Sequence, residues 1–308
     1  MTSSSAPGKI ILFGEHAVVY GRPALAVPVT QVQATAEVDA APRPGVWIEA
    51  PDIHLSSELS HLSPDHPLRA VIEDVFNALG LSDPPALTVR ISSTIPVASG
   101  LGSGAAVSVA VIQALSAYLG DPLPDEQVSA LAYEVEKIHH GTPSGIDNTV
   151  IAYARPVYFV KGQPIENFRV GTPFTIIIGD TGVSAPTKKS VGDVRSLWEA
   201  NKAHWERRFD EIGDIVTLAK EKIENGEWMV LGPLMDRNHL LLQELTVSSV
   251  ELDRLVDAAR RSGALGAKLS GGGCGGNMIA LARPETAESV AQALRQAGAR
   301  HTIITTIS

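Results

Sequence analysis

Two glycine-rich stretches stand far apart in this chain, Pro96-Val-Ala-Ser-Gly-Leu-Gly-Ser-Gly-Ala-Ala106 and Lys268-Leu-Ser-Gly-Gly-Gly-Cys-Gly-Gly276. Glycine lacks a Cβ, so its backbone can approach a ligand closely and successive N–H groups can converge on an anion, most effectively where the loop opens a helix. The first stretch runs into an apolar segment that reads as a helix. With the charged opening segment Pro7-Gly-Lys-Ile-Ile-Leu-Phe-Gly-Glu-His-Ala-Val-Val-Tyr-Gly21, the pattern points to phosphate chemistry. A dinucleotide fold does not fit. Gly271 to Gly276 satisfies G-x-G-x-x-G, but only 32 residues follow, with no second βαβ unit carrying a ribose-binding acid. The Walker pattern is absent.

The elements that must position these loops are legible in outline. Lys9 to Phe13, Ala24 to Val29 and Val32 to Val38 read as three short strands broken by Gly14, Gly21-Arg-Pro23 and Pro28, and residues 40–66 as a surface excursion. Leu68 to Leu79 predicts a helix and Leu87 to Ile91 a strand. Ala105 to Leu119, apolar nearly all round, predicts a buried helix whose N-terminus faces the first glycine loop. Glu126 to His140 predicts a helix with Val128, Leu131, Ala132, Val135 and Ile138 on one stripe and Glu136 at its edge. The character changes near residue 170: Phe174 to Ile178 reads as a strand, 190–225 as charged amphipathic helices, and the remainder as helix (250–262), strand (277–281), helix (285–297) and strand (301–307).

Composition bounds the function. With 308 residues, 44% hydrophobic, the chain exceeds the length at which single cores tend to split, so two domains are expected, 1–170 and 171–308. Twenty-five basic residues against 34 acidic ones give a formal charge of −9, which repels polyanions and argues against a nucleic-acid partner. Cys274 is the single cysteine, so an intramolecular disulfide and a cysteine-rich metal site are both excluded. His139-His140 is a poor chelate, because adjacent helical residues point about 100° apart. No leader-like or membrane-spanning stretch is evident, so a soluble cytoplasmic protein with no membrane partner is expected.

The opening segment and the two glycine loops together resemble the three motifs of the small-molecule kinases named for galactokinase, homoserine kinase, mevalonate kinase and phosphomevalonate kinase (GHMP kinases), over nearly the whole chain. Within the family, Gly14-Glu-His-Ala-Val-Val-Tyr-Gly21 and His140-Gly-Thr-Pro-Ser-Gly-Ile-Asp-Asn148 resemble members that phosphorylate mevalonate. The resemblance implies an α+β, two-domain kinase, with an N-terminal domain like ribosomal protein S5 domain 2 and a C-terminal ferredoxin-like α/β sandwich. It implies ATP and mevalonate as substrates, Mg²⁺, and by analogy a homodimer. A sibling activity on phosphomevalonate or on the mevalonate 3-hydroxyl, and a non-catalytic nucleotide sensor, remain open.

By the same resemblance, Pro96, Ala98, Ser99, Gly100, Leu101, Gly102, Ser103, Gly104, Ala105 and Ala106 wrap the ATP phosphates, and Ser103 and Glu136 hold the metal. Asp147 and Lys9 serve as the catalytic pair. Glu15, His16, Gly272 and Gly273 lie near the substrate, His16 as a donor to its carboxylate or hydroxyls. Ser103 also suits a helix N-cap and Asp147 a turn. Thr187, in Ser184-Ala-Pro-Thr-Lys-Lys189, reads equally as an N-cap or a substrate contact. The third motif departs from the family pattern at Ser270, Gly272 and Cys274, and at the last of these, a glycine position in the family, a Cβ narrows the loop or makes it thiol-sensitive. A phosphorylated acceptor would demand added cations, and beyond Lys9, Arg22, Lys188, Lys189 and Arg195 no basic cluster stands out.

Overall fold

In the computed structural model, all residues are described except 97–99, 141–142 and 185–186, together with the side chains of 139, 140 and 167. The chain forms two compact units. The first contains Met1–Lys9, the stretch from Pro28 to residue 96, and Gly102–Ala154; the second contains Ile10–Val27, residues 100–101 and Arg155–Ser308. These units interleave along the chain, whereas the change of character near residue 170 suggests one crossing.

The first unit is a sheet covered by helices. Its strands come from β1 (Thr2–Phe13) up to Lys9, β2 (Ala24–Ala40) from Pro28 onward, β3 (Val46–Ala50), β4 (Leu55–Glu58) and, after helix α1 (Pro67–Ala78), β5 (Leu87–Ser93). The order β4-β3-β5-β2 has β1 also paired to β2, and β3 runs parallel to β5. Two expectations are corrected here. The segments 24–29 and 32–38 form one strand, because Pro28 falls between the residues that pair with β5 (Ala34–Ala40) and those that pair elsewhere (Ala24–Ala26), so its missing N–H disrupts neither register. Residues 40–66 are not merely an excursion: Val46, Ile48 and Ala50 alternate inward and build β3, a period-2 signal masked by flanking Pro, Gly and Ser.

Helices α2 (Ser103–Tyr118), α3 (Asp125–His140) and α4 (Ile146–Tyr153) pack on one another, with α1 against α2 and α3. Helix α2 is buried on nearly every side, as its unbroken apolar sequence requires. The α3 stripe is rotated from expectation: Ile138 is 44% exposed whereas Glu136 is 5% exposed, so a carboxylate takes an inward position that periodicity gave to an isoleucine.

The second unit continues with β6 (Val157–Phe159), β7 (Glu166–Asn167) and β8 (Phe174–Asp180), then α5 (Thr187–Ala200), α6 (Lys202–Glu224), α7 (Leu231–Glu244) and α8 (Val250–Arg261). It closes with β9 (Gly266–Ser270), β10 (Asn277–Ala282), α9 (Ala287–Gln296) and β11 (His301–Ile307). Its sheet has the order β11-β8-β10-β9, antiparallel throughout. Taken in sequence order this is 4-1-3-2 with helices packed on the strands, the expected ferredoxin-like sandwich. Among the described residues no helix is long and apolar enough to cross a membrane.

Candidate active site

Within the first unit, four residues from separate elements converge. Lys9 on β1 is almost wholly buried, and its Nζ lies 2.9 Å from Asp147 Oδ1. Asp147 does not cap a turn. It occupies the first turn of α4, which begins after Gly145 in the left-handed region, and a carboxylate there is favoured by the helix dipole. Helix α4 is fastened to α3 by Asn148, whose Nδ2 donates to Ser129 O at 3.0 Å and Ser129 Oγ at 2.9 Å.

The start of α2 closes on the same place. The N-cap is Gly102 at φ 75°, not Ser103, which is the first helical residue. A Cβ at Gly102 would stand 2.8 Å from Ile151 Cδ1 and 3.0 Å from Lys9 Cγ, so the missing side chain is what admits the Lys9 stem and α4. A Cβ at Gly104 would stand 3.3 Å from Glu136 Oε1, which places that carboxylate over the first turn of α2 beside Ser103. Burial, and secondarily repulsion from Asp147, pushes the Glu136 carboxyl up to about 7, with Lys9 acting the other way.

The first-turn N–H groups of α2 have no acceptor within the helix and are suited to an anion. The Ala106 N–H is an exception among the expected phosphate contacts, because it already donates to Gly102 O at 2.9 Å. The side chains of Leu101, Ala105 and Ala106 are buried, while Gly100 and Gly104 are exposed and Pro96 is half-buried. Ala98 and Ser99 lie outside the described residues, as do the side chains of His139 and His140.

Ser103 and Glu136 offer a hydroxyl and a carboxylate at one helix start, and Asp147 adds a second negative charge that a cation would offset. This oxygen-only set suits Mg²⁺, which takes few protein ligands when phosphates complete its shell. Among the described residues no group of three His, Cys, Asp or Glu side chains forms a metal cluster by itself.

The second unit holds a different polar cluster around the third motif. Glu15 is fully enclosed and paired with Lys268, also fully enclosed, rather than presented on a surface. Burial raises the Glu15 carboxyl and lowers the Lys268 amine, each opposed by the other's charge. His16 Nε2 lies 3.0 Å from Gly272 O. A carbonyl only accepts, so Nε2 carries the proton and Nδ1 is left as an acceptor; burial lowers the ring to about 4, so it is neutral. In this arrangement the Nε2 proton is engaged by Gly272 O, and Nδ1 is the ring nitrogen left for a further contact.

Thr187 is the exposed first residue of α5, and a Cβ at Gly272 would stand 3.2 Å from its Oγ1, which sets it over the third loop. Gly273, the other expected loop contact, adopts φ 74°. Cys274 takes φ 59°, and burial pushes its thiol up, which reduces rather than creates thiol sensitivity. Arg22 is committed to Glu206 and to Asp210 at 2.7 Å.

Sequence reasoning missed the role of Lys268 and all of His239. A lysine between Ala267 and Leu269 in a strand buried at every position is a signal that could have flagged the first. His239 Nδ1 accepts from Leu269 N at 3.3 Å, while Nε2 faces Asp253 Oδ1 at 3.1 Å. Burial lowers its ring to about 4. For His16 and His239 alike, the unfolded chain binds more protons than the folded one between about 4 and 6.5. Their stability is full above 6.5 and is lost as pH falls through that window, on the order of 3 kcal/mol per ring. In urea denaturation, His239→Gln is expected to be less stable at pH 7 yet to lose less on acidification; an unchanged acid slope would assign the effect elsewhere.

The profiles for the GHMP kinases N terminal domain and the GHMP kinases C terminal domain match residues 66–155 and 219–300. A mevalonate kinase of Thermococcus sibiricus is 40% identical over 324 residues, covering 99% of this chain and 96% of that protein. One from Pyrococcus abyssi is 38% identical, covering 96% and 92%. The crystal structure of L. major mevalonate kinase in complex with R-mevalonate superposes with TM-score 0.86 at 28% identity, covering 100% of this chain and 96% of that one. The chain belongs to the GHMP kinase family, in the branch whose members are described as mevalonate kinases, and it is an ATP-dependent small-molecule kinase.

Proposed function

We propose that this kinase transfers the γ-phosphoryl group of ATP to the 5-hydroxyl of (R)-mevalonate, giving 5-phosphomevalonate and ADP for isoprenoid synthesis. The observation that carries the reading is the Lys9–Asp147 ion pair set against the glycine-capped start of α2. Glycine loop and helix start hold the phosphates. Asp147 orients the acceptor hydroxyl and takes its proton as the new P–O bond forms and the bond to the β-phosphate oxygen breaks. A carboxylate is a weak base toward an alcohol, so this transfer comes late, as suits a loose transition state in which positioning and charge neutralisation supply most of the rate. Lys9 holds Asp147 in place and offsets negative charge on the transferring group.

Ser103 and Glu136 would hold Mg²⁺, which when bound supplies charge neutralisation along the phosphates. Arg22 is neutralised by two carboxylates, which supports an unphosphorylated acceptor over phosphomevalonate. We assign the nucleotide and metal machinery to a functional domain 1–170 and the third motif to 171–308, and place the enzyme in the cytoplasm. On family analogy we propose a homodimer, which sedimentation at micromolar concentration tests.

The deciding experiment gives purified protein Mg-ATP with mevalonate or 5-phosphomevalonate, follows ADP, and locates the phosphate by phosphorus NMR. Phosphate on the 5-hydroxyl of mevalonate is expected. Turnover with phosphomevalonate alone, or phosphate on the 3-hydroxyl, would replace the acceptor, and no ADP with either would favour a nucleotide sensor. In the same assay Glu136→Gln should raise the half-saturating Mg²⁺ by about tenfold; an unmoved requirement would remove Glu136 from the metal site.

A further inference from the structure

Helix α3 carries one of the two acidic groups of the first unit's site and grips the helix that carries the other. Ser129, Tyr133 and Glu136 stand at i, i+4 and i+7, so they share one face of α3. Glu136 on that face is buried beside the start of α2. Ser129, two turns earlier, engages the Asn148 amide twice: Nδ2 lies 3.0 Å from Ser129 O and 2.9 Å from its Oγ. Between them, Tyr133 Oη donates to Pro143 O at 3.4 Å, a weak tether on the segment that precedes α4.

Asn148 follows Asp147 in the first turn of α4. Adjacent helical side chains point about 100° apart, so one residue addresses Lys9 while the next addresses α3. With eight residues, α4 is too short to persist by its own backbone bonds. Its buried Ile146, Val150 and Ile151 supply non-directional attraction, which seats the helix but does not set its rotation about its own axis. Two hydrogen bonds from one planar amide do set it. The amide's own orientation is forced, because Ser129 O only accepts and must face Nδ2.

Stability alone does not account for an asparagine here. The residue is 5% exposed, and its Oδ1 is enclosed with no hydrogen-bond partner among the described residues. A buried acceptor left unpaired cancels much of what two neutral hydrogen bonds return, and a leucine of similar volume would carry no such penalty.

We propose that Asn148 and Ser129 are positioning residues for phosphoryl transfer: they fix the rotation of α4 so that the Asp147 carboxylate stands toward Lys9 at a set place relative to Glu136, with α3 as the common frame. Both act through Asp147 rather than on substrate. This rests on Asp147 being the catalytic carboxylate.

The test compares Asn148→Leu, Ser129→Ala, Asp147→Asn and the double variant Asp147→Asn/Asn148→Leu with wild type in full-length enzyme, reading Tm, kcat, the KM for ATP and for mevalonate, and the half-saturating Mg²⁺. Asn148→Leu removes both grips together with the unpaired acceptor, so Tm should hold. Its kcat should fall roughly 10–100-fold, the scale of an ångström's misplacement. Both KM values and the Mg²⁺ requirement should stay unchanged, because Glu136 and the start of α2 are untouched. In the Asp147→Asn background the same change should cost nothing more, since the carboxylate it positions is gone. Ser129→Ala keeps Ser129 O and suits a helix interior, and should lose about fivefold in kcat.

An Asn148→Leu enzyme with wild-type kcat overturns the proposal. So does a loss that recurs undiminished in the Asp147→Asn background, or one accompanied by raised KM values for both substrates; either would leave the pair a packing feature. If Asn148→Leu does not fold, Ser129→Ala decides alone, and an unchanged kcat there overturns the proposal. A wild type inactive on mevalonate, or an Asp147→Asn enzyme with full kcat, sinks the underlying assignment instead.

Discussion

Asp147→Asn is expected to lower kcat by roughly 10²–10⁴-fold while leaving nucleotide affinity intact, the usual span for removing a positioned proton acceptor. Asparagine keeps the shape and can still accept a hydrogen bond from Lys9, so the 2.9 Å contact has a substitute. It cannot take the proton of the acceptor hydroxyl. The residue stands in the first turn of α4, fixed to α3 through Asn148, so the side chain should stay in place and the loss should be chemical. Turnover under saturating substrates, paired with calorimetric titration of a non-hydrolysable ATP analogue, reads the two separately. A kcat within a few-fold of wild type would remove Asp147 from the chemistry.

Lys9→Met should cost roughly 10²–10³-fold in kcat, the range seen when a preorganised charge is removed from a transition state. Methionine preserves the buried stem that packs where Gly102 lacks a Cβ, so the fold should tolerate the change better than truncation to alanine. It leaves Asp147 and Glu136 facing each other without the cation that offsets them. Because the two charges act as a unit, the double variant Lys9→Met/Asp147→Asn should be only about as impaired as the worse single variant. Fully multiplicative losses would mean that Lys9 and Asp147 act independently.

The elements legible in the sequence are those whose signal is local. Helix α2 announced itself by an apolar run after glycines, and β8, β10 and β11 by short apolar runs between helical stretches. Strand β9 was hidden in what read as the glycine loop, and the sandwich arrangement came with the family resemblance. The strand β3 did not announce itself either, since five residues between turn formers carry a short period. Glu136 stood at the edge of a stripe on a helical wheel, but which side of that edge faces inward depends on α2 and α4, which no wheel contains. Motif likeness reached Lys9, Ser103, Glu136 and Asp147, and these meet in one unit. It did not reveal what holds Glu15 and His16, because the partner of each, Lys268 and Gly272, lies about 250 residues away along the chain.

The same separation has a consequence during synthesis. Glu15, His16 and Ile11 find their partners 253, 256 and 259 residues later. At translation rates of roughly 5–20 residues per second, the opening segment waits on the order of 10–50 s before Lys268 is even made. Throughout that interval Glu15, His16 and the Ile11 backbone lack the partners that hold them in the finished fold, although β1 already has β2 to pair with. The second unit, which combines Ile10–Val27 with Arg155–Ser308, therefore closes around its Glu15–Lys268 pair only after the strand carrying Lys268 has been made.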